Sequence, residues 1–411
     1  MIPIICVGLQ ASMSTSSLSQ RVQQLAESQT IGMAKLSREL ASKGIDVINL
    51  SLGEPDFVTP SHIREAAKKA IDDGFTFYPP IAGYAELRKA ISAKFQRENQ
   101  LDYKPDQVVV STGAKQAIAN VVLCLVNPGD EVIIPLPYWV SYIEIVKLAE
   151  GKTVAVNTTV EADFKMTAEQ LEAAITPRTK LLIFSSPCNP TGSVYTREEL
   201  EAIAKVLARH PQVYILSDEI YEHINFLDAH QSIAQFESVR DRVIIVNGVS
   251  KGYAMTGWRI GYIGAPKFIA DACDKMQGQF TSAASSIAQK AAEAALNLDN
   301  RPTLDMRDAF LRRRDLVIEG LKKIPGLRLN QPKGAFYVFP DISSYFGKSD
   351  GTTTIHNATD LCMYLLNTGH VSVVTGEAFG APNCFRLSYA ASDDKLKEAV
   401  RRIGDALAKL R

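Results

Sequence analysis

The sequence predicts an α/β protein: a large domain on a mostly parallel seven-stranded sheet flanked by helices, plus a smaller α+β domain. Two observations predict it. Short apolar, β-branched runs alternate with amphipathic stretches from about Val108 to Met276. Runs of that kind read as strands buried on both faces and joined by helices. At 411 residues the chain is also too long for one ordinary core, since domains take about 100–200 residues each.

In chain order, strands read at Val108–Ser111, Glu131–Pro135, Thr153–Val156, Lys180–Phe184, Val213–Ser217, Val243–Val246 and Ile260–Gly264. Helical patterns lie between several of them, at Gln116–Leu125, Ala168–Ile175 and Arg197–Leu207. The rest has another texture. Helices read through Thr303–Lys323 and Asp393–Leu410, with strand-like runs at Ala335–Phe339, Val371–Val374 and Phe385–Ser388. The expected division is a large domain over residues 60–305 and a small one built from both termini, 14–59 and 306–411. Residues 1–13 read as a disordered extension, with Met13 an alternative start. Met1–Val7 is apolar, but no Lys or Arg precedes Arg21, so a signal peptide lacks its charged region.

Composition narrows the partners. Lys+Arg and Asp+Glu are both 45, so no net field draws the protein to nucleic acid or membrane. No apolar run approaches the roughly 18 residues that span a bilayer. The six cysteines are scattered without a CxxC, which argues against a metal site or disulfide framework and for a reducing, cytoplasmic setting. There, the sequons at Asn157 and Asn357 are chance matches. The triplet Arg312-Arg313-Arg314 reads as a solvated helix face rather than a phosphate site.

The most specific stretch is Asn247-Gly-Val-Ser-Lys251-Gly-Tyr-Ala-Met-Thr-Gly-Trp-Arg259-Ile-Gly261. A lone lysine is usually a surface residue. Here Gly248, Gly252, Gly257 and Gly261 remove bulk around it, as a cofactor lying on the backbone would require. Asp218 follows an apolar strand, where a helix N-cap is the bland alternative. Asn189 sits in Asn-Pro-Thr-Gly192, first of all a turn signature. Gly113 and Ala114 open a helix after a strand, a weak phosphate-cradle signal by itself. Trp139 reads equally as core. Arg386, inside an apolar run, needs a partner if buried.

Together these motifs resemble the class I aminotransferases, the fold-type I pyridoxal-phosphate enzymes, bacterial aspartate aminotransferases above all. The resemblance runs from about Leu18 to Leu410. It implies pyridoxal 5'-phosphate held by Lys251 as a Schiff base, Lys251 also shuttling the α-proton. Asp218 would face the ring nitrogen, Tyr221 and Asn189 the phenolic oxygen, and Trp139 the ring plane. Gly113, Ala114, Lys115 and Arg259 would hold the phosphate, joined by Tyr78 of a second subunit, hence a homodimer with shared sites. Arg386, Asn189 and the backbone of Gly53 would take the substrate carboxylate, with the small lobe closing on it. One departure is visible: several relatives carry a phosphate-binding serine where this chain has Gly248.

Specificity rests on the distal pocket. The stretch where some relatives place a second arginine, Gln277–Ser286, has none. Lys115 and Thr30 match pocket residues of one bacterial subgroup, which implies L-aspartate as donor and 2-oxoglutarate as acceptor in a ping-pong cycle. The alternatives are an aromatic, prephenate or kynurenine aminotransferase, or a β-lyase on the same fold. A regulator on this fold would need a helix-turn-helix domain, for which the N-terminus has no room. No GxxxxGK[ST] occurs, and no GxGxxG follows a strand.

Overall fold

A computed structural model of the chain describes residues 18–26, 29–297 and 301–411. The expectation about residues 1–13 lies outside them. Strands are numbered along the chain. After β1 (Ile48–Asn49) come β2 (Val108–Ser111), β3 (Glu131–Pro135), β4 (Lys152–Val156), β5 (Thr179–Ser185), β6 (Tyr214–Asp218), β7 (Val243–Gly248) and β8 (Gly261–Gly264). β2 to β8 form one seven-stranded sheet in the order β2-β8-β7-β6-β5-β3-β4. The neighbours from β7 to β4 are parallel. β8 alone runs against both of its neighbours.

Burial explains why these runs were legible. On β3, Val132 and Ile134 join a core with Leu181, Ile183, Leu216, Ile244 and Val246 on one face of the sheet. Ile133 joins Leu182, Ile215, Val243 and Ile245 on the other. Both faces are dry, so neither can be polar. Each such side chain contributes about 1.5–3 kcal/mol of transfer free energy.

A further core gathers Ile48 and Leu50 with side chains from Met306 to Leu410, and draws in Ile220, Tyr221 and Ile224 from the turn after β6. The expected strand over 335–339 is only the short β9 (Tyr337–Val338). The expected strand Val371–Val374 is two strands in two sheets. β10 (Val371–Ser372) lies parallel to β1, while β11 (Val374–Thr375) lies antiparallel to β12 (Phe385–Ser388). The apolar run is continuous because Val373 is buried too, and periodicity does not register a change of partner.

The topology decides where function can sit. β2, β5, β6 and β7 all end on one edge of the sheet, and Gly113, Asn189, Asp218 and Lys251 stand at or just after those ends. Crevices outside the carboxyl ends of parallel strands are the usual ligand sites of such sheets.

Candidate active site

Asp218 closes β6 and is 5 % exposed. Tyr142 Oη donates to its Oδ2 at 2.7 Å, and the Ile220 amide donates to its Oδ1 at 3.2 Å. Burial pushes the acid up to about 6, against the pull of those two hydrogen bonds and the charge on Lys251. Its neighbour Glu219 points to the opposite side, where it accepts from Ser217 and Ser232 at 2.9 and 2.6 Å. Glu222 pairs there with the fully buried Lys94 and accepts from Asn99 Nδ2 at 2.9 Å. The turn from Asp218 to His223 is thus pinned from behind by buried polar groups, which are costly to leave unpaired.

Lys251 follows β7, and its Nζ donates to the Gly53 carbonyl at 2.6 Å. Burial, then the nearby charges of Arg386 and Arg259, bring the amine down to about 8, with Glu54 and Asp218 opposing. About a tenth of it is therefore the free, nucleophilic base at pH 7, far more than for an ordinary lysine. The glycines around it are read differently in the structure. A Cβ on Gly248 would meet the Ile260 carbonyl at 2.8 Å and one on Gly252 would meet His223 at 2.7 Å, while Gly257 faces open space. Gly248 and Gly252 thus serve close packing within the chain. Register pairs Gly248 with Gly261, which leaves no room for a serine at position 248.

Two places invite anions. Gly113, at φ +83°, precedes the helix Ala114–Leu125; the Gly113 carbonyl accepts from the Gln116 and Ala117 amides, which leaves the Ala114 and Lys115 amides at the helix end without helical acceptors. A Cβ there would lie 2.2 Å from an Arg259 guanidinium nitrogen, and a Cβ on Gly261 would lie 2.2 Å from the Ala114 amide. Glycine lets the arginine and the helix end share one cradle. The second place is Arg386, 2 % exposed. Its Nη1 donates to Asn189 Oδ1 at 3.0 Å and its Nη2 to the Ser51 carbonyl at 2.6 Å. The Tyr337 and Phe379 rings flank it at 4.6 and 5.0 Å. Its Nε has no hydrogen-bond partner, and among the described residues no carboxylate pairs with it.

These groups surround one cavity of about 280 Å³. Thr30, Gly53, Ala114, Lys115, Trp139, Asn189, Asp218, Tyr221, Lys251, Arg259 and Arg386 line it together, and Gly113 backs Arg259. Lys115 Nζ stands 5.1 Å over the Trp139 ring, and partial burial and the charge of Arg259 lower its pKa. Tyr78 does not reach the cavity: it is 98 % exposed, beside the equally outward Phe77.

Sequence reasoning missed two tyrosines. Tyr142 holds Asp218 and stands three residues beyond Trp139, whose ring meets it edge-on at 5.4 Å. That i,i+3 spacing was a usable signal. Tyr337, on β9, shares a 2.7 Å hydrogen bond with Tyr221 and lies under Arg386; within an apolar run it carried no signal.

An amine, an acid and an anion cradle around one cavity suit a cofactor that bears an aldehyde, a basic ring nitrogen and a phosphate. The buried, unpaired Arg386 Nε supplies a separate place for a carboxylate.

Comparison with known proteins agrees. The family model for aminotransferase class I and II matches residues 45–403. An aspartate/prephenate aminotransferase of Cereibacter sphaeroides is 51 % identical over 94 % of this chain and 97 % of its own length. A bifunctional aspartate aminotransferase and glutamate/aspartate-prephenate aminotransferase of Petunia hybrida is 48 % identical over 96 % of this chain and 84 % of its own. The crystal structure of the Rhizobium meliloti aspartate aminotransferase superposes with a TM-score of 0.93 at 44 % identity, covering 96 % of this chain and 99 % of that one.

Proposed function

The chain belongs to the class I and II aminotransferases, and from that premise we propose that it moves the amino group of L-aspartate to 2-oxoglutarate, with pyridoxal 5'-phosphate held on Lys251. One observation carries the substrate class. Arg386 is a buried cation with an unpaired Nε and no carboxylate partner among the described residues. An uncompensated buried charge is destabilising until an anion arrives, and the α-carboxylate of an amino acid fits a guanidinium in two-point contact.

Each residue has a task in this reading. Arg259, Gly113, Ala114 and Lys115 hold the phosphate, and Trp139 fixes the ring plane. Asp218 holds a proton on the ring nitrogen, and Tyr221 with Asn189 addresses the phenolic oxygen. When bound, the cofactor supplies an electron sink for the pair left at the substrate's Cα. Lys251 Nζ takes the proton from the substrate's Cα and would deliver it to the cofactor carbon that bore the aldehyde. Arg386 and Gly53 orient the α-carboxylate, while Lys115 and Thr30 meet the distal one. The donor leaves as an oxo acid before the acceptor enters, a ping-pong cycle. Prephenate is a second acceptor to test, because two relatives carry it in their names.

The division into a domain over 60–305 and one over 14–59 and 306–411 belongs to the same reading, as does a homodimer in which Tyr78 serves the partner's phosphate. Support for the pairing is the exposed aromatic patch of Phe77 and Tyr78, 83 % and 98 % open. No helix among the described residues is long and apolar enough to cross a membrane. A cytoplasmic setting is inferred from the free thiols at Cys124, Cys188, Cys273, Cys362 and Cys384.

The test is an absorbance titration of the cofactor-loaded protein with aspartate, then alanine and phenylalanine, followed by oxo-acid acceptors. Bleaching of the visible band by aspartate at the lowest concentration, reversed by 2-oxoglutarate, is expected. Release of ammonia, with pyruvate, from a donor that carries a β-leaving group such as cystathionine would instead mean lyase chemistry.

A further inference from the structure

The helix Arg301–Leu321 carries the Arg312-Arg313-Arg314 triplet, and the structure corrects its reading as a solvated face. Arg312 is open, but the Arg313 side chain is only 9 % exposed. Its Nη1 donates to Asp56 Oδ1 at 2.7 Å and its Nε to Asp393 Oδ1 at 3.3 Å. Its guanidinium also lies over the Phe57 and Phe310 rings at 5.1 and 5.8 Å. Helical spacing turned the middle arginine inward, where it needs carboxylates.

Asp56 belongs to a segment, residues 50–60, that has neither helix nor strand. That segment straps the site. The Ser51 carbonyl accepts from Arg386 Nη2 at 2.6 Å, and the Gly53 carbonyl accepts from Lys251 Nζ at 2.6 Å. Beyond them Thr59 Oγ1 donates to the Ala254 carbonyl at 2.6 Å. An irregular segment has no ladder of backbone hydrogen bonds to fix its carbonyls. Its shape is set by side-chain anchors, and on the side of the Arg301–Leu321 helix the charged anchor is Asp56 on Arg313.

We propose that Arg313 is a positioning residue for substrate binding: through Asp56 it fixes the strap whose Ser51 and Gly53 carbonyls orient Arg386 and meet Lys251. The proposal rests on the reading of Arg386 as the carboxylate-binding residue. Arg313 touches neither substrate nor cofactor. Its two carboxylates divide its work, because Asp56 leads to the strap whereas Asp393 opens the C-terminal helix Asp393–Leu407 and also binds Arg312.

That division gives the experiment. Asp56→Asn, Asp393→Asn, Arg313→Gln and Arg313→Lys are compared in the cofactor-loaded protein by steady-state kinetics, maleate binding and thermal melting. Asp56→Asn and Arg313→Gln are expected to raise the KM for aspartate and the Kd for maleate about tenfold, with kcat within about threefold, since small misplacements of a binding group are amplified in affinity. Arg313→Lys is expected to recover part of that loss. Asp393→Asn is expected to lower the melting temperature and leave both constants near those of the unaltered protein. Equal effects of Asp56→Asn and Asp393→Asn on KM, or none from Asp56→Asn, would overturn the proposal and leave the aminotransferase reading standing. Failure of the unaltered protein to bind maleate or turn over aspartate would overturn both.

Discussion

Tyr142 Oη and Asp218 Oδ2 lie 2.7 Å apart, both groups buried, with the tyrosine donating. This places a neutral donor directly against the acid that, in the proposed reading, faces the ring nitrogen as a carboxylate. A hydrogen bond to a charged group contributes about 1.5–3 kcal/mol. Tyr142→Phe should therefore leave Asp218 more often protonated and weaken pyridoxal-phosphate binding by about tenfold or more. Equilibrium titration of the cofactor-free protein measures it. An unchanged affinity would mean that the pair is structural only.

Asp218 also makes a pH prediction for the cofactor-free protein. Its carboxyl is raised in the folded state to about 6 from 3.8, so the folded form binds a proton more readily than the unfolded form. Stability contributed through this group falls as pH rises between those values and stays low above them. Two pH units correspond to about 3 kcal/mol at most. Asp218→Asn should resist urea better than the unaltered chain at pH 8, by ~1–3 kcal/mol, with the advantage gone near pH 4. An advantage independent of pH would refute the assignment.

Lys115 stands over Trp139 and lines the cavity, as Thr30 also does. If it meets the second carboxylate, Lys115→Ala should cut kcat/KM for aspartate by ~10–100-fold, the range of a charged hydrogen bond. Alanine, which has no such group, should be affected far less. A variant that keeps its preference for aspartate over alanine would remove Lys115 from that role.

How much of this was readable follows from what the signals report. Strands β2, β3 and β5 to β8 were legible because side chains such as Ile133 and Ile134 face opposite cores, and two dry faces force unbroken apolar runs, whereas the edge strand β4 is largely exposed and showed only as a short β-branched run. The same logic blurred β10 and β11, where a buried Val373 hides a change of sheet. The cavity residues were legible as short motifs after strand ends. Their supports were less so: Tyr142 was marked only by its spacing from Trp139, and Tyr337 was hidden in an apolar run. Arg313 read as surface because charge at one position does not say which way a helix faces. The glycines near Lys251 carried a mixed signal, since close backbone packing, seen at Gly248 and Gly252, and close approach of a ligand demand the same residue.

The central claim is that the amine at position 251, which lines the cavity, is the covalent anchor of the cofactor. The protein would be loaded with pyridoxal phosphate, reduced with borohydride, digested and mapped by mass spectrometry. The account predicts a single pyridoxyl group, fixed on Lys251 and absent from Lys251→Ala. A group found on another lysine, or none at all on a protein that binds the cofactor, would contradict it.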